Sequence, residues 1–297
     1  MAAALGSAVG GTAAVAARIL APEAGAATVG LLRYLGLLVL LLAGAAVFRL
    51  RMPRIARADW PAIFAMGLLQ FGLFGWFFSA GFTYVSAARG TIVMATMPIQ
   101  TLLISALVGR ERFTLLKLVG TLVGVAGVLV ALWGDEVAAG PSAWKGDLCL
   151  FAAGFVTALN SVLVGPYLRR YSVYSVSLLA TTVGCVLLGI VFIATGAQVE
   201  VVNLSRQGWL AILYFAAVPT LLGFITWSWA LARVAPTRVT VTVVLNPIAA
   251  ALAAAWMLGE PLGVRVIVGV ALVTTAIVIV NWGAGSRRAE AADPRAT

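Results

Sequence analysis

Histidine is absent from this 297-residue chain, cysteine occurs twice, and only 10 side chains are acidic. Each shortage removes a class of chemistry. Without histidine the chain lacks the side chain that most often moves protons or binds metals near neutral pH. The two thiols, Cys149 and Cys185, both lie inside apolar runs and are too few for a metal site of ordinary ligand count. They read as small buried apolar groups, and no disulfide framework or cofactor site is indicated. Charge is scarce too: 10% of residues are charged, against roughly 25% in soluble domains. So little charge cannot cover a water-soluble globule. The apolar content, 62% with mean hydropathy +1.06, is far too high for a disordered chain. The composition is that of an all-α integral membrane protein whose surroundings are the lipid bilayer.

A helix crossing about 30 Å of hydrocarbon needs roughly 20 mostly apolar residues. Runs of that size occupy 28–48, 61–83, 90–109, 114–133, 147–166, 173–195, 208–231, 239–258 and 264–283. An Ala- and Gly-rich stretch from Ala2 to Leu20 supplies a tenth. A cleaved leader is the rival reading of that stretch, but leaders start with basic residues and none precedes Arg18. With ten spans and both termini cytoplasmic, 14 of the 20 Lys and Arg fall in cytoplasmic segments. Five (Arg18, Arg89, Lys145, Arg206, Arg265) fall outside, and Arg33 lies within the second span. That asymmetry obeys the positive-inside rule. It also accounts for the net charge of +10 without a nucleic-acid partner.

Shifted by 149 positions, the chain overlays itself without a gap across residues 85–120. Arg89 meets Arg238, Pro98-Ile99 meets Pro247-Ile248, Glu111 meets Glu260 and Gly120 meets Gly269. Self-similarity at one fixed offset marks structural repetition. Five spans per copy is an odd number, so equivalent helices cross in opposite senses. The expected architecture is ten transmembrane helices as two inverted five-helix repeats, 1–135 and 146–284, followed by a polar cytoplasmic tail, 285–297. Inverted repeats of this kind characterise secondary transporters, whose site lies near the midplane between the copies. Duplication that merely stabilised a bundle is the plainer alternative.

The five-plus-five spans resemble the EamA-type members of the drug/metabolite transporter superfamily. Similar closing motifs carry the likeness. Pro98-Ile99 precedes Glu111 and the glycine-rich Gly120–Gly127, and Asn246-Pro247-Ile248 precedes Gly259-Glu260-Pro261 and Gly269. Arg33-Tyr34 is similar to the arginine often found in the second span of that family. The tryptophan usual beside Gly6-Ser7 is absent here. The resemblance implies export or exchange of small metabolites such as amino acids, across the cell membrane.

Candidate site residues follow from what an apolar span tolerates poorly. Pro98 and Pro247 fall mid-span, where proline removes a hydrogen bond and frees the carbonyls of Met94 and Val243 toward a polar cavity or leaves a packing kink. The deep amides Gln70, Gln100, Asn160 and Asn246 either share a cavity or bond between helices; Thr220 and Ser79 are weaker candidates. Aromatic side chains gather in the third span (Phe71, Phe74, Trp76, Phe77, Phe78) and its repeat partner, the eighth (Tyr214, Phe215, Phe224, Trp227, Trp229), as cavity walls or lipid-facing packing, with Phe74, Phe78, Tyr214 and Trp227 taken as solute contacts. Arg33 is expensive inside a span, and gating, structure, substrate contact or snorkelling to the headgroups all account for it. Glu111 and Glu260 stand just before spans, where carboxylates cap helix N-termini, so they are assigned structural or gating roles.

Gly120 and Gly124, four apart, predict close approach of two helices, either spans five and ten or a homodimer. An enzyme would need acid pairs, a base system or metal ligands inside the spans, and none is present. A receptor or assembly scaffold is the other rival. It predicts a bundle packed solid, whereas transport of a small molecule predicts a polar cavity.

Overall fold

The computed structural model describes residues 6–7, 9–10, 12–13, 16–17, 20, 22–50, 53–85, 87–131, 141–246 and 264–282. Among these every regular element is a helix, with no strand. The described residues between 6 and 20 are helical. After them come α1 (Ala26–Phe48), α2 (Arg57–Tyr84), α3 (Ala87–Met94), α4 (Met97–Leu107) and α5 (Leu115–Ala131). The chain continues through α6 (Ala143–Tyr171), α7 (Val173–Ala194), α8 (Gln198–Asn203), α9 (Arg206–Leu231), α10 (Pro236–Thr240) and α11 (Val264–Trp282). Six helices among the described residues are long and apolar enough to cross a membrane: α1, α2, the α3–α4 stretch Arg89–Leu107, α6, α7 and α9. Shorter apolar helices occupy Leu115–Val130 and Ile267–Val280. The expected spans at 2–20 and 239–258 lie only partly within the described residues.

Local sequence explains the boundaries. Arg49 ends α1 in the left-handed conformation (φ 47°), and Ser172 divides α6 from α7 at φ 74°. Ser172 also caps α7, its side chain accepting from the Ser175 backbone N–H at 3.3 Å. Ser205 does the same for α9, accepting from the Gly208 N–H at 2.9 Å. Such a side-chain acceptor satisfies one of the N–H groups a helix start leaves without a partner.

Pro98 departs from expectation. Instead of kinking one continuous helix, it lies in the first turn of α4, after a break at Ala95-Thr96. A first-turn residue has no intrahelical acceptor for its N–H, so proline costs little there and starts a new helix. Pro247 lies outside the described residues.

Two departures from α geometry recur at the repeat offset. Within α2, Gly67–Leu73 adopts the wider π-helical winding, and within α9 Ala216–Leu222 does the same, 149 positions later. Such windings are rare and concentrate at functional sites. The first is held against α7. A Cβ on Gly67 would lie 2.6 Å from that of Val183, and Gly184 lies directly against Phe71.

Helices α5 and α11 interlock through glycine. A Cβ on Gly120 would lie 2.8 Å from Val280 and 2.9 Å from Ile279, and one on Gly127 would lie 2.9 Å from Leu272. Of the two expectations for this stripe, spans five and ten packing together is the arrangement found, so α11 covers the glycines within one chain.

At one end of the bundle, carboxylates join segments distant in sequence. Glu23, just before α1, accepts from the Ser205 N–H at 2.9 Å and from the Ser205 hydroxyl at 2.8 Å. Glu200 of α8 accepts from the Gly25 N–H at 2.8 Å and from the Thr28 hydroxyl. Each acid thus serves the start of the helix in the other part of the chain.

Candidate functional site

Where the π-wound stretches of α2 and α9 face the leading helical residues, the helices leave a cavity of about 150 Å³. The leading residues contribute Gly6, Ser7, Gly10 and Ala13, and α1 contributes Arg33. From α2 come Gln70, Phe74 and Phe78; from the end of α3, Met94; from the start of α4, Met97; from α6, Thr157. Helix α9 supplies Phe215, Pro219, Thr220, Gly223, Phe224 and Trp227, and the residues after α10 supply Val243 and Asn246. Five pairs in this wall are separated by 149 positions: Gln70 and Pro219, Phe74 and Gly223, Phe78 and Trp227, Met94 and Val243, Met97 and Asn246. The wall therefore draws on positions that recur at one fixed offset along the chain.

Most of the surface is aromatic or aliphatic, but several of its polar atoms have no partner. The Nε of Arg33, the hydroxyls of Thr157 and Thr220 and the Oδ1 of Asn246 are buried without a hydrogen bond. Buried polar groups in folded proteins are nearly always satisfied, so a cluster of exceptions around a space marks where a ligand or water would bond. The Ser7 hydroxyl, by contrast, is 2.7 Å from that of Thr242.

Arg33 does not snorkel. Its side chain turns inward and the residue is 4% exposed. The guanidinium carbon lies 4.3 Å from the centre of the Tyr34 ring and 4.6 Å from that of Phe215, with Phe78 at 5.5 Å and Phe74 at 5.6 Å. Cation–π attraction of this kind is worth about 0.5–2 kcal/mol per ring, which offsets part of the cost of burying the charge. Arg33 donates to the Tyr34 hydroxyl, and among the described residues no carboxylate forms an ion pair with it.

Of the residues singled out from sequence, Gln70, Phe74, Phe78, Met94, Trp227, Val243 and Asn246 line the cavity, as do Arg33 and the weaker candidate Thr220. Four do not. Asn160 stands behind the wall and donates to the Gln70 Oε1 at 3.1 Å, so it orients a lining amide. Gln100 faces α6, donating to the Phe151 carbonyl at 3.4 Å, with its Oε1 against Gly154. Pro98 is buried in the first turn of α4. Tyr214 is 42% exposed on the outer face of α9, and its neighbour Phe215 points inward instead. A helix turns about 100° per residue, so adjacent aromatics cannot share one face. Pro247 and Glu260 lie outside the described residues. Pro219 and Thr157 were missed as site residues, and Phe215 was expected only among the aromatics of its span. The repeat offset from Gln70 leads to Pro219 and could have found it.

Glu111 caps a helix, but not the one that follows it. Its Oε1 accepts from the Thr237 N–H at 3.0 Å, at the start of α10, and its Oε2 lies 2.5 Å from the Lys117 Nζ. The loop folds back across the bundle because that distant helix start also lacks acceptors. Elsewhere Asp59 meets Arg170 at 2.8 Å and accepts from the Tyr171 hydroxyl, and Arg89 meets Asp147 at 2.6 Å.

Apolar helices around a small, partly polar central cavity define a membrane protein of the transport class. A model of the EamA-like transporter family matches residues 1–133 and 144–282, and the chain belongs to that family. Its members are transporters, and the chain is not an enzyme. An uncharacterized transporter of Archaeoglobus fulgidus is 26% identical over 229 residues, 76% of this chain and 79% of that one. A probable terminal-alkyne amino-acid exporter of Streptantibioticus cattleyicolor is 26% identical over 80% of this chain and 78% of its own length. A probable amino-acid metabolite efflux pump of Salmonella typhimurium is 26% identical over 85% of this chain and 86% of its own. A solved crystal structure superimposes with a TM-score of 0.72 at 19% identity, covering 96% of this chain and 98% of that one, a likeness of fold.

Proposed function

We propose that the chain is a secondary transporter or facilitator that exports a small amphipathic or amino acid-like metabolite across the cytoplasmic membrane by alternating access. The observation that carries this reading is the central cavity, whose walls draw on positions recurring at one fixed offset along the chain and hold unpartnered polar atoms. A scaffold packed to its centre would have neither. Gln70, Phe74, Phe78, Met94, Trp227, Val243 and Asn246 would touch the solute. The exporter and efflux names of two relatives support the outward direction.

The architecture in this reading is ten spans, with 1–135 and 146–284 as five-helix halves threaded in opposite senses. Both termini and the tail 285–297 are cytoplasmic. The observed pairings agree with it. Asp59 with Arg170, and Glu111 with Thr237, join segments that the distribution of Lys and Arg assigns to the cytoplasm. Arg89 with Asp147 joins two assigned to the outside.

Two experiments test these claims. Metabolites retained and released by cells with and without the protein should differ in a small set of solutes, and Asn246→Ala should reduce the difference while the protein still inserts. Unchanged profiles would reject the transport reading. Single cysteines at positions 89 and 238, with Cys149 and Cys185 replaced, should label from opposite sides of the membrane. Labelling from one common side would reject the inverted halves.

A further inference from the structure

We infer that Arg33 is the anion-recognising group of this cavity and that the solute is an amphipathic monocarboxylate; the inference rests on the transport reading. Among the described residues of the cavity wall, Arg33 is the one basic side chain and no Asp or Glu accompanies it. Four rings surround its guanidinium, and one donor goes to the Tyr34 hydroxyl. The buried Nε has no partner. A planar guanidinium whose Nε–H is unpartnered matches a carboxylate in charge and in hydrogen-bonding type. In an apolar setting an arriving anion repairs an uncompensated cation, so charge favours its entry. The position equivalent to Arg33 in the second half is Thr182, which is uncharged, so the cavity offers one cationic pole and suits one anionic group.

The rest of the wall specifies the remainder of the solute. Phe74, Phe78 and Trp227 offer ring faces to an aryl or alkyl body. The Thr220 hydroxyl and the Asn246 Oδ1 are unpartnered acceptors, available to an N–H or O–H of the solute. With no carboxylate among the described residues of the wall, an amine that lacks an acid group finds no counter-ion there.

The test uses the purified full chain in liposomes and three probes: 3-phenylpropanoate, its uncharged amide 3-phenylpropanamide, and phenylalanine. Binding is read as the tryptophan quench that W227F removes, and flux as release of preloaded probe. The two carboxylates should bind and move at least about tenfold better than the amide, the scale of one charge-assisted hydrogen bond. R33Q should level the three probes, whereas R33K, keeping the charge without the fork, should retain a weakened preference for carboxylates. The R33K result separates loss of recognition from loss of folding. An amide handled as well as the acid, or an unchanged preference in R33Q, overturns the inference and leaves transport standing. Carboxylate binding without flux overturns the transport reading and leaves the inference standing. Neither binding nor flux of any probe rejects both.

Discussion

The α5–α11 pair and the central cavity are built from similarly apolar helices, yet one is closed and the other is hollow. In the pair, Gly120, Gly124 and Gly127 let the backbones approach until side chains of one helix fill the grooves of the other. Its hydroxyls are satisfied locally: Thr121 donates to the Lys117 carbonyl at 2.7 Å, Thr274 to Val270 at 2.8 Å and Thr275 to Ala271 at 2.8 Å. Around the cavity, bulky rings line open space, and Thr157, Thr220 and Asn246 keep unused hydrogen-bonding capacity. Unpartnered hydroxyls also occur away from the cavity, at Ser105 and Ser161. Polarity in a span therefore does not mark a site. Unsatisfied polarity beside open space does.

This contrast can be broken from its closed side. Leucine at both Gly120 and Gly127 should lower the thermal midpoint in detergent more than any other change considered, since each overpacked position costs about 1–3 kcal/mol. On the hollow side, Asn246→Ala or Thr220→Val should reduce flux by up to about tenfold, the value of one hydrogen bond to the solute, with the thermal midpoint preserved. Gln100→Ala sharpens the point: flux should be unchanged, because that amide faces α6. Should flux collapse instead, the cavity boundary drawn here is wrong. Glu111→Ala removes the acceptor at the start of α10 and should cost about 1 kcal/mol, seen as a modest fall in midpoint. The smallest effect is expected from Arg89→Ala, because a partly exposed ion pair contributes less than about 1 kcal/mol.

The sequence carried the membrane class, the repeat offset and a large share of the cavity wall. Gln70, Phe78, Trp227 and Asn246 were readable because a deep amide or a large aromatic in an apolar run calls for explanation. Their rotational position was not readable. Tyr214 and Phe215 are both aromatic, and only packing decides which faces inward. Pro98 misled because proline marks an interrupted helix equally well in mid-helix and in a first turn. Arg33 could not be placed from its depth, since snorkelling and an inward ring cage satisfy the same position in the chain. The partner of Glu111, 126 residues away, left no local trace.

The exchange of acids between Glu23 with Ser205 and Glu200 with Gly25 has a consequence for assembly. Each part of the chain supplies a carboxylate to a helix start in the other, contacts that two separate fragments could still make. Expressed together from two genes, fragments 1–135 and 136–297 should find one another in the membrane and co-purify. Replacing both Glu23 and Glu200 with alanine should weaken that reunion far more than it weakens the uncut chain, where the tether keeps the local concentration of partners high.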